Sequence, residues 1–117
     1  MRDPRYLEGV RCFNRGEWFE AHEVLEDLWR EDQGPTRSYW QGLIQAAVAL
    51  EHWRRGNPRG ARSQWGQAQA HLVRYAPHHE GLDVAAFIAA MEACMGPLMD
   101  DDGAELDIAR VPELRLG

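Results

Sequence analysis

Apolar residues recur at every third or fourth position along most of the chain, which is the spacing of one face of an α-helix. The second such stretch has the most regular stripe, formed by Trp18, Ala21, His22, Leu25, Leu28 and Trp29. No stretch alternates apolar and polar residues with the two-residue period of a half-buried strand. The pattern therefore predicts an all-α fold.

Capping and breaking residues divide these stripes into five helices. An acid or asparagine before proline suits a helix start, and glycine suits the residue just after a helix end. The signals in chain order are Asp3-Pro4, Gly16, Gln33-Gly34-Pro35, Thr36, Gly56-Asn57-Pro58, Pro77 and Asp83. Since short connections make consecutive helices antiparallel, we predict a compact bundle of about five helices, built from two helical hairpins plus a C-terminal helix.

Two stretches resemble each other at a spacing of 40 residues. The segment 13–16 (FNRG) followed by Ala21 aligns with the segment 53–56 (WRRG) followed by Ala61. Each is predicted to be a helix–turn–helix unit in which glycine makes the turn and alanine lets the helices approach.

We expect residues 1–100 to form one helical domain. The run Asp100-Asp101-Asp102-Gly103 predicts that residues 101–117 are an acidic, extended or disordered tail.

The amino-acid composition limits the classes of partner that the chain could bind and of reaction that it could catalyse. The 117 residues carry a net charge of −6, which argues against nucleic acid as the main partner. The chain has no lysine, so Schiff-base and phosphate-loop lysine chemistry are excluded. The longest aliphatic run, Ala46 to Leu50, is too short for a membrane span, and we expect no leader peptide. Cys12 and Cys94 do not make a disulfide framework, so we expect a cytoplasmic protein.

Charge is unevenly placed along the chain. Residues 16–32 contain seven acids and one base, Arg30, whereas residues 52–76 contain five arginines and no acid. We expect these two faces to meet within the molecule. The alternative is a basic docking patch on residues 52–76.

Three blocks resemble one family, the bacterial and archaeal domain of unknown function family 309. They are FNRGEWFEAHEVLEDLW (13–29), QGLIQAAVALEHW (41–53) and RGNPRGA (55–61), and the likeness extends from Phe13 to Leu72. The resemblance implies a compact bundle of about five helices and carries no activity. The polar positions that it assigns to the family pattern are Glu20, His22, Glu23, Glu26, Gln41, Gln45 and His52.

His22 and Glu26 carry the best case for chemistry, because side chains four residues apart meet on one helical face and can share a metal. A zinc-protease motif would need histidine at position 26, so that motif is absent. Glu51 falls on an apolar face and should pair with His22, an arginine or water. We expect His22 to be buried against a carboxylate of Glu26 or Glu51. The candidate polar pocket consists of His22, Glu23, Glu26, Gln41, Gln45, Glu51 and His52.

Two functions remain open on this evidence. The first is a non-catalytic binding module for a protein or peptide partner or for a second copy in a homodimer, which the five tryptophans and the missing nucleophile motifs favour. The second is a small metal-dependent or acid–base site between the second and third helices, with His22 and Glu26 as candidate metal ligands. The sequence identifies no cofactor, and we expect neither a membrane nor a nucleic acid as partner.

Overall fold

Five α-helices account for most of the computed structural model, which describes residues 2–117. The helices are α1 (Pro4–Asn14), α2 (Trp18–Glu31), α3 (Arg37–Arg54), α4 (Pro58–Leu72) and α5 (Val84–Asp100). Short 3₁₀ helices lie at Val73–Tyr75 and Ile108–Arg110, and two-residue strands β1 (His78–His79) and β2 (Leu82–Asp83) pair antiparallel. The predicted all-α fold is confirmed, although the residues between α4 and α5 form a small hairpin that the sequence did not indicate.

The central element is α3, which packs against α2 on one side and α4 on the other, while α1 packs against α2. A helix that is apolar around most of its circumference suits such a position. Ten apolar residues or glycine and one glutamine of α3 are buried: Tyr39, Trp40, Gly42, Leu43, Ile44, Gln45, Ala46, Ala47, Ala49, Leu50 and Trp53. The strip of α3 that lies between α2 and α4 positions the candidate site.

The two predicted hairpin turns have the same backbone geometry. Gly16 and Gly56 adopt φ values of +77° and +81°, the left-handed conformation that glycine accepts without steric cost. After each glycine, the next backbone N–H donates to the carbonyl five residues earlier, at 2.9 Å in the first turn and 2.8 Å in the second. Both turns are therefore Schellman motifs. The 40-residue repeat corresponds to one turn geometry used twice.

Replacing Gly56 with valine should lower the free energy of unfolding by about 1–2 kcal/mol, the cost of a left-handed conformation for a residue with a Cβ atom. No atom lies within 4 Å of a Cβ added at Gly56, so strain in the backbone is the whole effect. Chemical denaturation followed by circular dichroism would measure the loss. Unchanged stability would contradict the role of this turn.

Three of the four helix caps predicted from the sequence are confirmed. The side chains of Asp3, Asn57 and Asp83 each accept a hydrogen bond from a backbone N–H in the first turn of α1, α4 and α5. Thr36 is the exception, because its side chain makes no capping bond to α3. Its backbone is already helical, with φ −87° and ψ −6°, and its hydroxyl lies 3.3 Å from Nε2 of His79 instead.

Two buried tyrosines attach the hairpin to the bundle. The hydroxyl of Tyr6 lies 2.7 Å from that of Tyr39 and donates to the carbonyl of Glu80 at 3.0 Å. Tyr39 therefore donates to Tyr6, and each hydroxyl is satisfied in turn. Burial raises the pKa of Tyr6 to about 12, so its phenol keeps the proton that this chain of bonds requires. The hairpin turn is held in place by α1 and α3.

The C-terminal segment differs from the expected tail. Residues 101–117 are largely irregular, but they pack on the bundle and extend the domain beyond residue 100. Leu114 is buried, and its backbone exchanges two hydrogen bonds with the side chain of Asn14, at 3.0 and 2.7 Å. Trp53 donates to the carbonyl of Ala104 at 2.8 Å. The acidic run predicted a solvated end, but the apolar residues that follow it bury surface on α1 and α3.

No helix within residues 2–117 is both long and apolar enough to cross a membrane. Cys12 and Cys94 are both buried and both free thiols.

Candidate functional site

An open groove runs along α3, with α3 as its floor and α2 and α4 as its sides. It consists of two adjoining cavities of about 210 Å³ and about 400 Å³. His22 and Val48 line both cavities, so the two form one continuous surface. The floor residues follow the helical repeat of α3, and the last of them directly follows its end: Gln41, Ile44, Gln45, Val48, Glu51, His52 and Arg55.

The smaller cavity is apolar and aromatic. Trp18, Phe19 and Val48 line it, with the rim completed by His52 and Arg55. Phe19 is 44% exposed, which is unusual for a large apolar side chain, and the Arg55 guanidinium lies 6.0 Å from its ring centre. Such a cavity can accept an apolar group from another molecule.

His22 lies where the two cavities meet. Its Nε2 lies 2.7 Å from a carboxylate oxygen of Glu26, one helical turn further along α2. The other oxygen of Glu26 accepts a hydrogen bond from Arg30 at 2.6 Å. The predicted pairing of His22 with a carboxylate is confirmed, while its side chain is half-buried, at 27% exposure, rather than fully enclosed.

Glu51 pairs with arginine, one of the three partners expected for it. Its two carboxylate oxygens bind Arg54 and Arg55. Burial alone would raise the pKa of Glu51, but the hydrogen bonds from both guanidinium groups outweigh burial and hold that pKa below its usual range. Glu51 is therefore an anion neutralised on its own helix, and it does not pair with His22. His52 does not pair with His22 either, because its Nδ1 lies 3.3 Å from the side-chain nitrogen of Asn57.

Four of the nine residues that line the larger cavity are glutamines. Gln41 and Gln45 come from α3, and Gln64 and Gln67 come from α4. Nε2 of Gln45 donates to Oε1 of Gln67 at 2.9 Å. Gln45 is 94% buried, with 6% of its surface exposed, and its own side-chain oxygen has no hydrogen-bond partner within the described chain. Buried amide oxygens are rarely left unpaired, so this one needs a physical explanation.

Of the residues predicted for a polar pocket, all but Glu23 line the groove. Glu23 is exposed, because it lies about 100° around α2 from His22. The convergence of His22, Glu26, Glu51 and His52 on one point does not occur. His22 and Glu26 form a pair, and residues 2–117 bring no group of three or more His, Cys, Asp or Glu side chains close enough to share a metal ion.

Several residues that line the groove are not among those predicted for the polar pocket. The missed residues are Trp18, Phe19, Trp29, Ile44, Val48, Arg55, Gln64 and Gln67. Gln64 and Gln67 did have a signal in the sequence, because they flank the buried stripe of Ala61, Trp65 and Ala68 on α4. That signal does not reveal which neighbouring helix they face.

The acidic and basic stretches meet at the start of α2, where Arg54 donates to the carbonyl of Gly16 at 2.7 Å, but the described residues form no ion pair between the two stretches. Acids of residues 16–32 pair with Arg5, Arg15, Arg30 or His22, and no ion pair joins them to an arginine of residues 52–76. The arginines 54, 55 and 62 instead pair with Glu51 and Asp102. The cause is geometric, since the acidic face of α2 turns outward from α3. Glu20 and Glu23 are left on the surface without an ion pair to residues 2–117.

A known protein family matches the helices that form the groove. The sequence model of the family described as "Domain of unknown function (DUF309)" matches residues 6–64, which is just over half of the chain. The chain belongs to this family. The matched part of DUF309 covers α1, α2, α3 and the start of α4, and it therefore includes the α2 side and the floor of the groove.

Two curated relatives share part of this region. An uncharacterized protein of Bacillus subtilis, YpuF, is 53% identical over 47 residues, which is 39% of this chain and 27% of that protein. An uncharacterized protein of Aquifex aeolicus is 28% identical over 90 residues, which is 76% of this chain and 27% of that protein. The chain thus spans about a quarter of the length of each of these relatives. No solved structure matches it.

Proposed function

We propose that this DUF309 chain is a non-catalytic binding module that holds a segment of a partner protein in the groove along α3. The observation that carries the proposal is the apolar cavity at Trp18, Phe19 and Val48, open to solvent between α2 and α3. Large apolar side chains grouped at an open cavity are typical of sites that take an anchor residue from a partner.

Two unpaired acids beside this cavity favour a positively charged partner, while the cations beside it, Arg54 and Arg55, are paired with Glu51. Glu20 and Glu23 are exposed next to Phe19 on α2 and form no ion pair within the described residues. The chain as a whole has a net charge of −6, which would speed the approach of a basic segment. The occupant that fits is a protein segment with one large apolar side chain and basic residues beside it.

The alternative of an acid–base site has narrower support. A general acid or base must reach the substrate with a proton to give or accept. Glu26 already binds both His22 and Arg30, and Glu51 already binds two arginines. The carboxylates of the groove are thus occupied by partners from the chain itself. A groove whose carboxylates are already paired and whose Phe19 ring is 44% exposed is better suited to binding.

Selection from a library of random 12-residue peptides displayed on phage would test the proposal with the whole chain as target. We expect enrichment of peptides that combine a large apolar residue with lysine or arginine. Their affinity should fall as salt is raised, because exposed charge pairs are screened. Failure to enrich any sequence over an uncoated surface would overturn the proposal.

Replacing Phe19 with alanine should weaken binding of a selected peptide at least about tenfold, because aromatic residues at the centre of a small interface carry much of its binding energy. Fluorescence anisotropy with a labelled peptide would give the Kd. Ile108→Ala is the matched control, since Ile108 is 60% exposed and lies outside the groove. Equal losses for the two variants would place the binding surface elsewhere.

A further inference from the structure

Arg55 lines the α3 side of the apolar cavity and has hydrogen-bond donors to spare. Its guanidinium lies 6.0 Å from the ring centre of Phe19, and 68% of its side chain is exposed. Its Nε binds a carboxylate oxygen of Glu51, while its two terminal nitrogens make no hydrogen bond to residues 2–117. A guanidinium presents its donors in a planar fork that matches a carboxylate. Arg55 can therefore bind a carboxylate of a partner while it keeps Glu51.

The charge on this side of the cavity is positive on balance. Arg54 and Arg55 both bind Glu51, so two cations share one anion. Arg54 also lies 4.4 Å from the ring centre of Trp18 and donates to the carbonyl of Gly16, which holds it against the bundle. Arg55 is thus the cation of this pair that remains accessible at the rim of the cavity.

Glu23 carries a negative charge on the α2 side of the cavity. It follows Phe19 by four residues, so it lies about 40° further around α2 and about 6 Å further along it. Glu23 is exposed and forms no ion pair with residues 2–117. The nearby base of α2, Arg30, is already shared by Glu26 and Asp27. The negative charge of Glu23 is therefore available to a partner.

Glu23 and Arg55 lie on opposite sides of Phe19 along the groove. The start of α2 packs on the end of α3, where Arg54 covers Trp18, so the two helices are antiparallel. The step from Phe19 to Glu23 along α2 therefore leads away from the end of α3, which Arg55 directly follows. An apolar anchor seated at Phe19 would have a negative groove charge on one side and a positive groove charge on the other.

We propose, on the basis of the proposed function, that the groove selects segments with charges of opposite sign on the two sides of the apolar anchor. The basic residue of the segment lies beside Glu23. An aspartate or glutamate on the other side of the anchor binds the terminal nitrogens of Arg55. Complementary charges of this kind set the register and orientation of a bound segment. The two groove charges therefore determine which way along α3 the segment runs.

The peptide selection described above tests this charge arrangement first. We expect the enriched peptides to carry an aspartate or glutamate on the side of the apolar anchor opposite the lysine or arginine. Arg55→Gln should raise the Kd of such a peptide about threefold to fivefold, the usual range for an exposed ion pair. Replacing the acid of the peptide with its amide should abolish this effect, which a merely structural role of Arg55 would leave in place.

A second double-mutant cycle tests the other side of the cavity. Glu23→Gln should weaken binding by a similar factor, and this loss should disappear when the basic residue of the peptide is replaced by glutamine. The crossed pairs, Arg55 with the base and Glu23 with the acid, should show no favourable coupling. Arg59→Gln and Glu105→Gln are the matched controls, since both residues are exposed and lie outside the groove, and their Kd should stay within about twofold.

Two results would overturn the charge arrangement and leave the apolar cavity as a binding site. One is enrichment of peptides that combine apolar and basic residues without an acidic residue opposite the base. The other is a loss on Arg55→Gln that is the same for the acidic peptide and its amide. If no peptide is enriched at all, the proposed function fails, and the charge arrangement fails with it.

Discussion

Trp53→Ala should lower the free energy of unfolding by about 3–5 kcal/mol, the usual cost of removing a large aromatic side chain from a core. Trp53 is 6% exposed at the end of α3, and its indole N–H donates to the carbonyl of Ala104 at 2.8 Å. The ring thus holds the C-terminal segment against the bundle. Urea denaturation would measure the loss of stability.

The same variant should expose the C-terminal segment to protease. Arg110 and Arg115 are the trypsin sites within residues 101–117, and we expect faster cleavage at both because local opening becomes more frequent. Trp53→Phe keeps most of the packing and loses the hydrogen bond, which should cost about 1 kcal/mol.

Trp29→Ala serves as the control for Trp53→Ala. Trp29 is a half-buried tryptophan far from Ala104 along the chain, with the Arg37 guanidinium 4.0 Å from its ring centre. We expect a smaller loss of stability and no change in cleavage of residues 101–117. Cleavage of Trp53→Ala at the wild-type rate would show that the C-terminal segment does not depend on this contact.

Gly42→Val should destabilise the protein by about 3 kcal/mol, at the upper end of the range for overpacking a core. Gly42 lies where α3 approaches α4. A Cβ atom there would come within 2.7 Å of Cγ and Cδ2 of Leu72, which is fully buried, and within 3.3 Å of Cβ of His71. The clash outweighs the gain in helix propensity on replacing glycine, which is less than about 1 kcal/mol.

Gly66→Val is the matched control for Gly42→Val. Gly66 lies in the middle of α4, exposed, with no atom within 4 Å of an added Cβ. Here only helix propensity acts, so stability should stay the same or rise slightly. The two variants make the same substitution inside neighbouring helices, and opposite results would isolate the close approach of α3 and α4. Equal results would mean that α4 can shift to accommodate the larger side chain.

The sequence by itself determined the five helices and most of their boundaries. Asp3, Asn57 and Asp83 cap helices in the structure as their positions indicated, and Gly16 and Gly56 close the two hairpins. These features involve hydrogen bonds between residues at most five positions apart, so the sequence around each one contains all the interacting groups. The pair His22 and Glu26 was predictable for the same reason, since one turn of a helix brings them together.

Only the tertiary structure decided what these helices present to solvent. Gln64 and Gln67 face Gln41 and Gln45 because α4 packs beside α3, a relation between residues about 20 positions apart. The backbone of Leu114 hydrogen-bonds with the side chain of Asn14, 100 positions earlier in the chain. The acidic face of α2 points outward because burying its apolar stripe on α3 leaves no other orientation. Such outcomes depend on which faces pack together, and a local pattern of apolar residues specifies a buried face without specifying its partner.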